Sequence, residues 1–170
     1  MTITATSMFG TEYTVDSSDV TGWRIGAHCL IIKDQKILLT PFLMGGEVRY
    51  DLPGGEVEAY ETLEQGAIRE VLEETGLSLD IEKNLMMHDH FFIWDPENEN
   101  NEREIIHSLV TFFLCNIHED GKSISISGHD IWEREHMGIP VWIDLHDAVD
   151  LPIVGSYDYR ILVRRLIDGN

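Results

Sequence analysis

The residues best suited to chemistry stand between Leu52 and Leu77, in LPGGEVEAYETLEQGAIREVLEETGL. Gly54 and Gly55 open this stretch, Glu61 follows, and then come Arg69, Glu70, Glu73 and Glu74. On a helix of about 100° per residue with Glu70 at zero, Glu74 falls at about 40° and Glu73 at about 300°, so three carboxylates share one arc. Val71, Ile68 and Leu72 fall at about 100°, 160° and 200°, which predicts that the helix buries the opposite side and presents its acids to solvent. Such a cluster permits a divalent cation but does not require one. Glutamate is a good helix former, and like charges four residues apart cost only about 0.2–0.5 kcal/mol on an exposed helix.

The elements around the stretch must hold it in place. Gly54-Gly55 allows a tight turn and a close backbone approach. Thr62 with Gln65 three residues on makes a capping box, and Gly76 suits a left-handed C-terminal cap, so the helix spans about Leu63 to Thr75. Upstream, residues 1–22 form an extension with one strand around Thr11 to Val15. Trp23 to Ile32 and Lys36 to Thr40 make a hairpin about Asp34-Gln35, with Pro41 ending it. LMGGEV reads as a loop, and Arg49 to Leu52 as a short extended piece. Downstream, Leu77 to Ile81 and Met86 to Trp94 are strands, and PENENNERE is a polar loop expected to be mobile. Ile105 to Ile117 is an apolar central strand. HEDGK is a turn, the stretch from Ser123 to Gly138 is polar, and Ile139 to Ile143 is a strand. Helical pieces at Leu145 to Val149 and about Tyr157 to Ile167 close the chain. Hairpins mixed with helical crossovers give an α/β layered fold with a mixed β-sheet between helices, in one domain over residues 23–170.

The ordered set from Gly55 through Glu61, Arg69, Glu70, Val71, Leu72, Glu73, Glu74, Thr75 and Gly76 to Leu77 resembles the signature of the Nudix hydrolases. Every defining position is filled, with Leu52-Pro53-Gly54 leading in. The resemblance implies a Nudix-like α/β/α sandwich. It also implies magnesium-dependent hydrolysis, with manganese as a substitute, of a nucleoside diphosphate linked to another moiety. Glu70, Glu73, Glu74 and the backbone carbonyl of Gly54 are then the metal ligands, with Glu73 either a third carboxylate or the holder of a bound water. Arg69 and Glu61 pair and orient the helix face. A further glutamate downstream often serves as ligand or general base, and Glu133 and Glu135 are the candidates, Glu135 the preferred one. Two departures stand out. Tyr60 replaces a frequent glycine, and Pro41-Phe42 follows KILLT where a phosphate-binding arginine often occurs. That second departure argues against a triphosphate unless Arg49 or Arg24 substitutes. Tyr50 is placed to line a substrate pocket. Trp23, Phe91, Trp94 and Trp132 are able to stack on a base, although core packing is the commoner role. His88 and His90 share a strand face without a third ligand spaced to complete a metal site.

Composition narrows the setting. The chain of 170 residues has 43% hydrophobic and 25% charged residues, as an ordinary globular domain does. Acidic residues outnumber basic ones 31 to 12, for a net charge of -19, so duplex nucleic acid and anionic membranes are repelled. An anionic small-molecule substrate therefore needs local compensation, which a divalent metal supplies. No apolar run reaches membrane-spanning length and the N-terminus lacks a signal core, so the cytoplasm is the expected location. Cys29 and Cys115 lie in apolar strands and read as buried thiols. A homodimer stays open. The rival readings are a catalytically silent nucleotide-binding module, whose mark would be a lost motif carboxylate, and an acidic interaction domain indifferent to metal.

Overall fold

The computed structural model describes residues 1–94, 104–118, 124, 135–155 and 157–169. In chain order the strands are β1 (Thr2–Ser7), β2 (Glu12–Asp16), β3 (Val20–Lys33), β4 (Lys36–Met44), β5 (Glu47–Asp51) and β6 (Gly54–Glu56). After helix α1 (Leu63–Thr75) come β7 (Leu79–Trp94), β8 (Glu104–Ile117) and β9 (Val141–Asp144), then helices α2 (Leu145–Ala148) and α3 (Arg160–Ile167). The sheet runs β2-β1-β7-β8-β3-β4-β5, with β6 also on β3 and β9 also on β4. β3 is parallel to β8 and β1 is parallel to β7, while the other pairs are antiparallel, so the sheet is mixed.

Alternation along β3 divides the core into two layers. Ala27, Cys29 and Ile31 pack with Leu38, Phe113 and Cys115 under Ala67 and Val71 of α1. Leu30, with Ile37, Leu39 and Phe112, packs on the other face against Leu145 and Ala148 of α2 and Leu162 and Val163 of α3. The sheet thus lies between α1 and the α2–α3 pair, the α/β/α layering expected. Cys29 and Cys115 are free, buried thiols in the first layer, and the hydrogen bond between them, with burial added, pushes the Cys29 thiol far up.

Several local expectations give way to tertiary pairing. Pro41 does not end β4, which continues to Met44 with Pro41 opposite Tyr50. A proline stays in a strand where its missing donor is not needed, and its carbonyl accepts from the Gly138 N–H at 2.7 Å. LMGGEV is not a loop but the tip of the β4–β5 hairpin. Gly45 and Gly46 both take positive φ, as a two-residue hairpin turn demands. The two strands expected between Leu77 and Trp94 are one, because bulges at Ile81/Lys83 and Asn84/Met86 absorb the polar interruption and keep both halves on β8. Within residues 1–22 a strand forms at Glu12–Asp16, but Thr2–Ser7 forms another, docked in parallel on β7. Its TITATS alternation is real, with Ala5 and Ser7 inside, but threonine disguises it. No helix among the described residues is long and apolar enough to cross a membrane.

Candidate active site

Local sequence defines α1 closely. The Thr62 hydroxyl accepts from the Gln65 N–H at 3.2 Å, the Gln65 side chain accepts from the Thr62 N–H at 2.9 Å, and Gly76 closes the helix in the left-handed region at φ 72°. Its orientation differs from the sequence expectation. The buried residues are Gly66, Ala67, Val71, Glu74 and Thr75, whereas Ile68 and Leu72 are 36% and 44% exposed. The buried arc therefore centres near Ala67, at about 60°, and overlaps the carboxylates instead of opposing them. The acids point into the protein, toward β6.

The two glycines of β6 make that tolerable. A Cβ on Gly55 would lie 2.6 Å from Cδ of Glu70 and 2.8 Å from each of its oxygens, so the Glu70 carboxylate fills the space a side chain would take. Glu74 is 5% exposed, and its Oε2 accepts from the Gly54 N–H at 3.2 Å. Arg69 gathers the remaining acids. Its Nε and Nη2 donate to the two oxygens of Glu61 at 2.8 and 3.0 Å, and its Nη1 donates to Glu70 at 2.9 Å and to Glu73 at 3.2 Å. Its Nη2 also reaches the Glu56 carbonyl at 2.9 Å. The fork to Glu61 is a bidentate charge-assisted pair, which raises the Arg69 pKa further and holds the Glu61 carboxyl below its ordinary range. Glu61 is anchored in turn by the Glu58 N–H at 3.1 Å.

One guanidinium thus faces Glu61, Glu70 and Glu73, with Glu74 adjacent through Gly54. Among the described residues no three carboxylate, imidazole or thiol groups converge at metal-ligand spacing, since Glu70 and Glu73 are turned onto Arg69. The donor chemistry still fits a hard cation. The acids that α1 brings to the turn offer oxygen, and the glycine cradle seats a carboxylate beside the backbone.

The sequence profile of the NUDIX domain matches residues 22–165. The chain belongs to the Nudix family. Among curated relatives, the mouse (Mus musculus) oxidized purine nucleoside triphosphate hydrolase is 39% identical over 75 residues, 44% of this chain and 48% of that protein. The phosphatase NudJ of Escherichia coli K12 is 35% identical over 60 residues, 35% of this chain and 39% of NudJ. The chain thus spans less than half the length of these relatives. Among solved structures, a MutT NUDIX hydrolase from Burkholderia pseudomallei aligns with 86% of this chain and 98% of its own, at TM-score 0.59 and 24% identity, a likeness of fold.

Around the Nudix turn the remaining sequence candidates separate. Arg24 of β3 forms an ion pair with Glu56 at 3.5 Å, next to Gly55. Arg49 is engaged elsewhere, with the Ile153 carbonyl at 3.1 Å, Glu47 at 3.5 Å and the ring of Phe9. Tyr60 is exposed on the loop before the Nudix helix, and Tyr50 packs on the second core layer. Glu135 is exposed, helical with His136 just before Met137, which bridges Phe42 of β4, and it takes no part in the Arg69 network. Glu133, Trp132 and residues 96–103 of the loop expected over PENENNERE lie outside the described residues, while its last residue, Glu104, opens β8.

A polar cluster that sequence reading missed braces the other side of the Nudix turn. Tyr157 donates to Asp51 Oδ1 at 2.6 Å, the Leu52 N–H donates to the same oxygen at 2.7 Å, and His28 Nδ1 lies 3.2 Å from the Leu52 carbonyl and 3.1 Å from the Tyr157 hydroxyl. Because a carbonyl only accepts, Nδ1 carries the proton. The available signal was His28 interrupting the apolar run GAHCLII. Burial lowers the His28 pKa to about 4 and pushes Asp51 up to about 7 against the pull of its Tyr157 and Leu52 donors. With the folded pKa of Asp51 above the unfolded value of 3.8, the folded protein binds the extra proton between them. Its contribution is therefore full below pH 4 and is lost as pH rises toward 7. Asp51→Asn, which keeps the acceptor, is expected to gain roughly 2 kcal/mol on the wild type between pH 5 and pH 8. Urea unfolding of both proteins at the two pH values measures this, and parallel pH dependences would refute it.

Proposed function

We propose that this Nudix protein is a magnesium-dependent hydrolase of a phosphoric anhydride in a nucleoside diphosphate linked to another moiety, yielding a monophosphate and a second phosphorylated product. The observation that carries the reading is the gathering of Glu70 and Glu74 on the Gly54-Gly55 turn, beside an Arg69 that Glu61 holds in a bidentate pair. Glu70, Glu73, Glu74 and the Gly54 carbonyl would hold magnesium, or manganese in its place. The ion, when bound, neutralises charge on the anhydride oxygens and lowers the pKa of water.

The chain's own groups do the rest. Arg69, held by Glu61, fixes the helix face relative to Glu56 and keeps the Glu70 carboxylate over the turn. Glu73, the outermost of the three, is free to swing between Arg69 and a ligand. Glu135 is our candidate for the base that takes a proton from the attacking water. Arg24 is the cation best placed beside the turn for a substrate phosphate. The name of the mouse relative gives oxidised purine nucleoside triphosphates as that enzyme's substrates, so they belong in the test with dinucleoside polyphosphates, nucleotide sugars and ADP-ribose. The experiment is incubation with magnesium or manganese and this panel, followed by chromatography for released monophosphate. Turnover of one class that stops on chelation is expected. Tight nucleotide binding without turnover would instead make the chain a silent binding module.

A further inference from the structure

The Nudix turn is held by β3 on one side and by the C-terminal segment on the other. Pro53 has no N–H to donate, so the approach to Gly54 is fixed by the two backbone groups of Leu52 and by the Pro53 carbonyl. Cys29 of β3 donates its N–H to that carbonyl at 2.8 Å, and β6 pairs on β3 from Gly54 opposite His28 to Glu56 opposite Gly26. Side chains hold Leu52. Its N–H donates to Asp51 Oδ1 at 2.7 Å, and its carbonyl lies 3.2 Å from His28 Nδ1.

Tyr157 joins these two holds through one hydroxyl. It donates to Asp51 Oδ1 at 2.6 Å, and the protonated His28 Nδ1 lies 3.1 Å from its oxygen. Both the donor and the acceptor of the hydroxyl are thus committed to groups that grip Leu52. The ring is 8% exposed and packs edge-on against Phe112, with centroids 4.8 Å apart. The segment before it delivers it there. The Tyr50 N–H donates to the Pro152 carbonyl at 2.9 Å and the Val154 N–H to the Tyr50 carbonyl at 3.0 Å, a parallel bridge of Ile153 with Tyr50. Because the bridge is parallel, the chain beyond Ile153 runs the way β5 runs into Asp51 and Leu52.

Tyr159 supplies the contrast. It is 1% exposed in the same core layer, but its hydroxyl has no hydrogen-bond partner among the described residues. The two tyrosines are alike in chemistry and burial and differ in what the hydroxyl holds. We propose that Tyr157 is a positioning residue of the Nudix turn, which through Asp51 and His28 fixes Leu52 and with it the Gly54 carbonyl offered to the metal. A shift of the turn also moves the Gly54 N–H away from Glu74. Removing a group behind a metal ligand in this way costs about 10–100-fold in metal affinity. The effect on metal rests on the hydrolase reading; the hold on the turn does not.

The test compares Tyr157→Phe with Tyr159→Phe in the full chain. Loss of the Tyr157 hydroxyl costs about 1–3 kcal/mol, which a domain of ordinary stability survives, and thermal melting checks that both variants are folded. Amide hydrogen exchange followed by NMR without metal is expected to quicken about tenfold at Leu52 and Gly54 in Tyr157→Phe, and to stay within about twofold in Tyr159→Phe. Manganese, titrated with detection by electron paramagnetic resonance, should bind Tyr157→Phe about tenfold more weakly than wild type and Tyr159→Phe equally well. In turnover the magnesium concentration for half-maximal rate should rise about tenfold in Tyr157→Phe, with kcat at saturating magnesium and the substrate KM both within about twofold. A tyrosine that only fills the core would produce no such split. Unchanged exchange at Leu52 and Gly54 in Tyr157→Phe overturns the proposal, and so does a folded Tyr157→Phe that binds manganese as the wild type does. If exchange quickens as described but the wild type itself binds no manganese, the hold on the turn stands and the metal-dependent hydrolase reading falls.

Discussion

Glu74→Gln is expected to lower kcat/KM by on the order of 10²–10³-fold while leaving the fold intact. Glu74 is the most buried of the three helix acids, and its Oε2 accepts from the Gly54 N–H. Glutamine keeps that acceptor and nearly the same shape, but it lacks the charge a hard cation requires. Two readouts separate the roles. Thermal unfolding without metal should be unchanged within a few degrees, because a buried charge is replaced by a neutral amide. Stabilisation of the wild type by magnesium, about 1.4 kcal/mol at tenfold excess over Kd, should vanish in the variant. Unaltered activity in Glu74→Gln would remove Glu74 from the site. An undiminished magnesium shift would place the ion elsewhere.

Gly54→Ala should have the largest effect on stability, and its neighbour supplies the control. Gly54 sits at φ 144°, and a Cβ there would lie 2.3 Å from the Ala27 carbonyl oxygen and 2.6 Å from the His28 Cα, both backbone atoms of β3 that cannot retreat without breaking the ladder. Strain of this kind and overpacking together cost about 3 kcal/mol or more, a fall in Tm of roughly 6–12 °C for a chain of this size. Gly55→Ala meets only the end of the Glu70 side chain, which can swing away. It should fold with a small loss of stability and still lose most activity, because Glu70 is driven off the turn. Equal stability losses in the two variants would show that the turn is not held against β3 as described.

The outcome for α1 shows where sequence reading ends. Its limits were legible because they depend on contacts within four residues, the Thr62–Gln65 box and the Gly76 cap. Its orientation was not. The angular argument assumes that apolar residues choose the buried side, so Ile68 and Leu72 were expected inside and the acids outside. In the folded chain β6 presents glycine backbone to the helix, with room for carboxylates and N–H groups to receive them, and Arg69 supplies countercharge. Pro41 and the LMGGEV hairpin follow the same pattern. A proline and a glycine pair read as breaks along the chain, but β5 beside them turns the segment into paired strand.

The sequence by itself determined the α/β class, the helix ends and the ordered set of Glu61, Arg69, Glu70, Glu73 and Glu74 on which the family resemblance stood. Each of those depends on spacing along the chain, and spacing is written in the sequence. Only the tertiary structure decided that the acids turn inward onto Gly54 and Gly55. It alone showed that Asp51, His28 and Tyr157 meet from segments as much as 129 residues apart, and that the N-terminal strand stands against β7. The reason is physical. Which way a half-polar helix faces, and which distant side chains share a proton, depend on the shape and charge of the surface opposite, and that surface exists only after the sheet has formed.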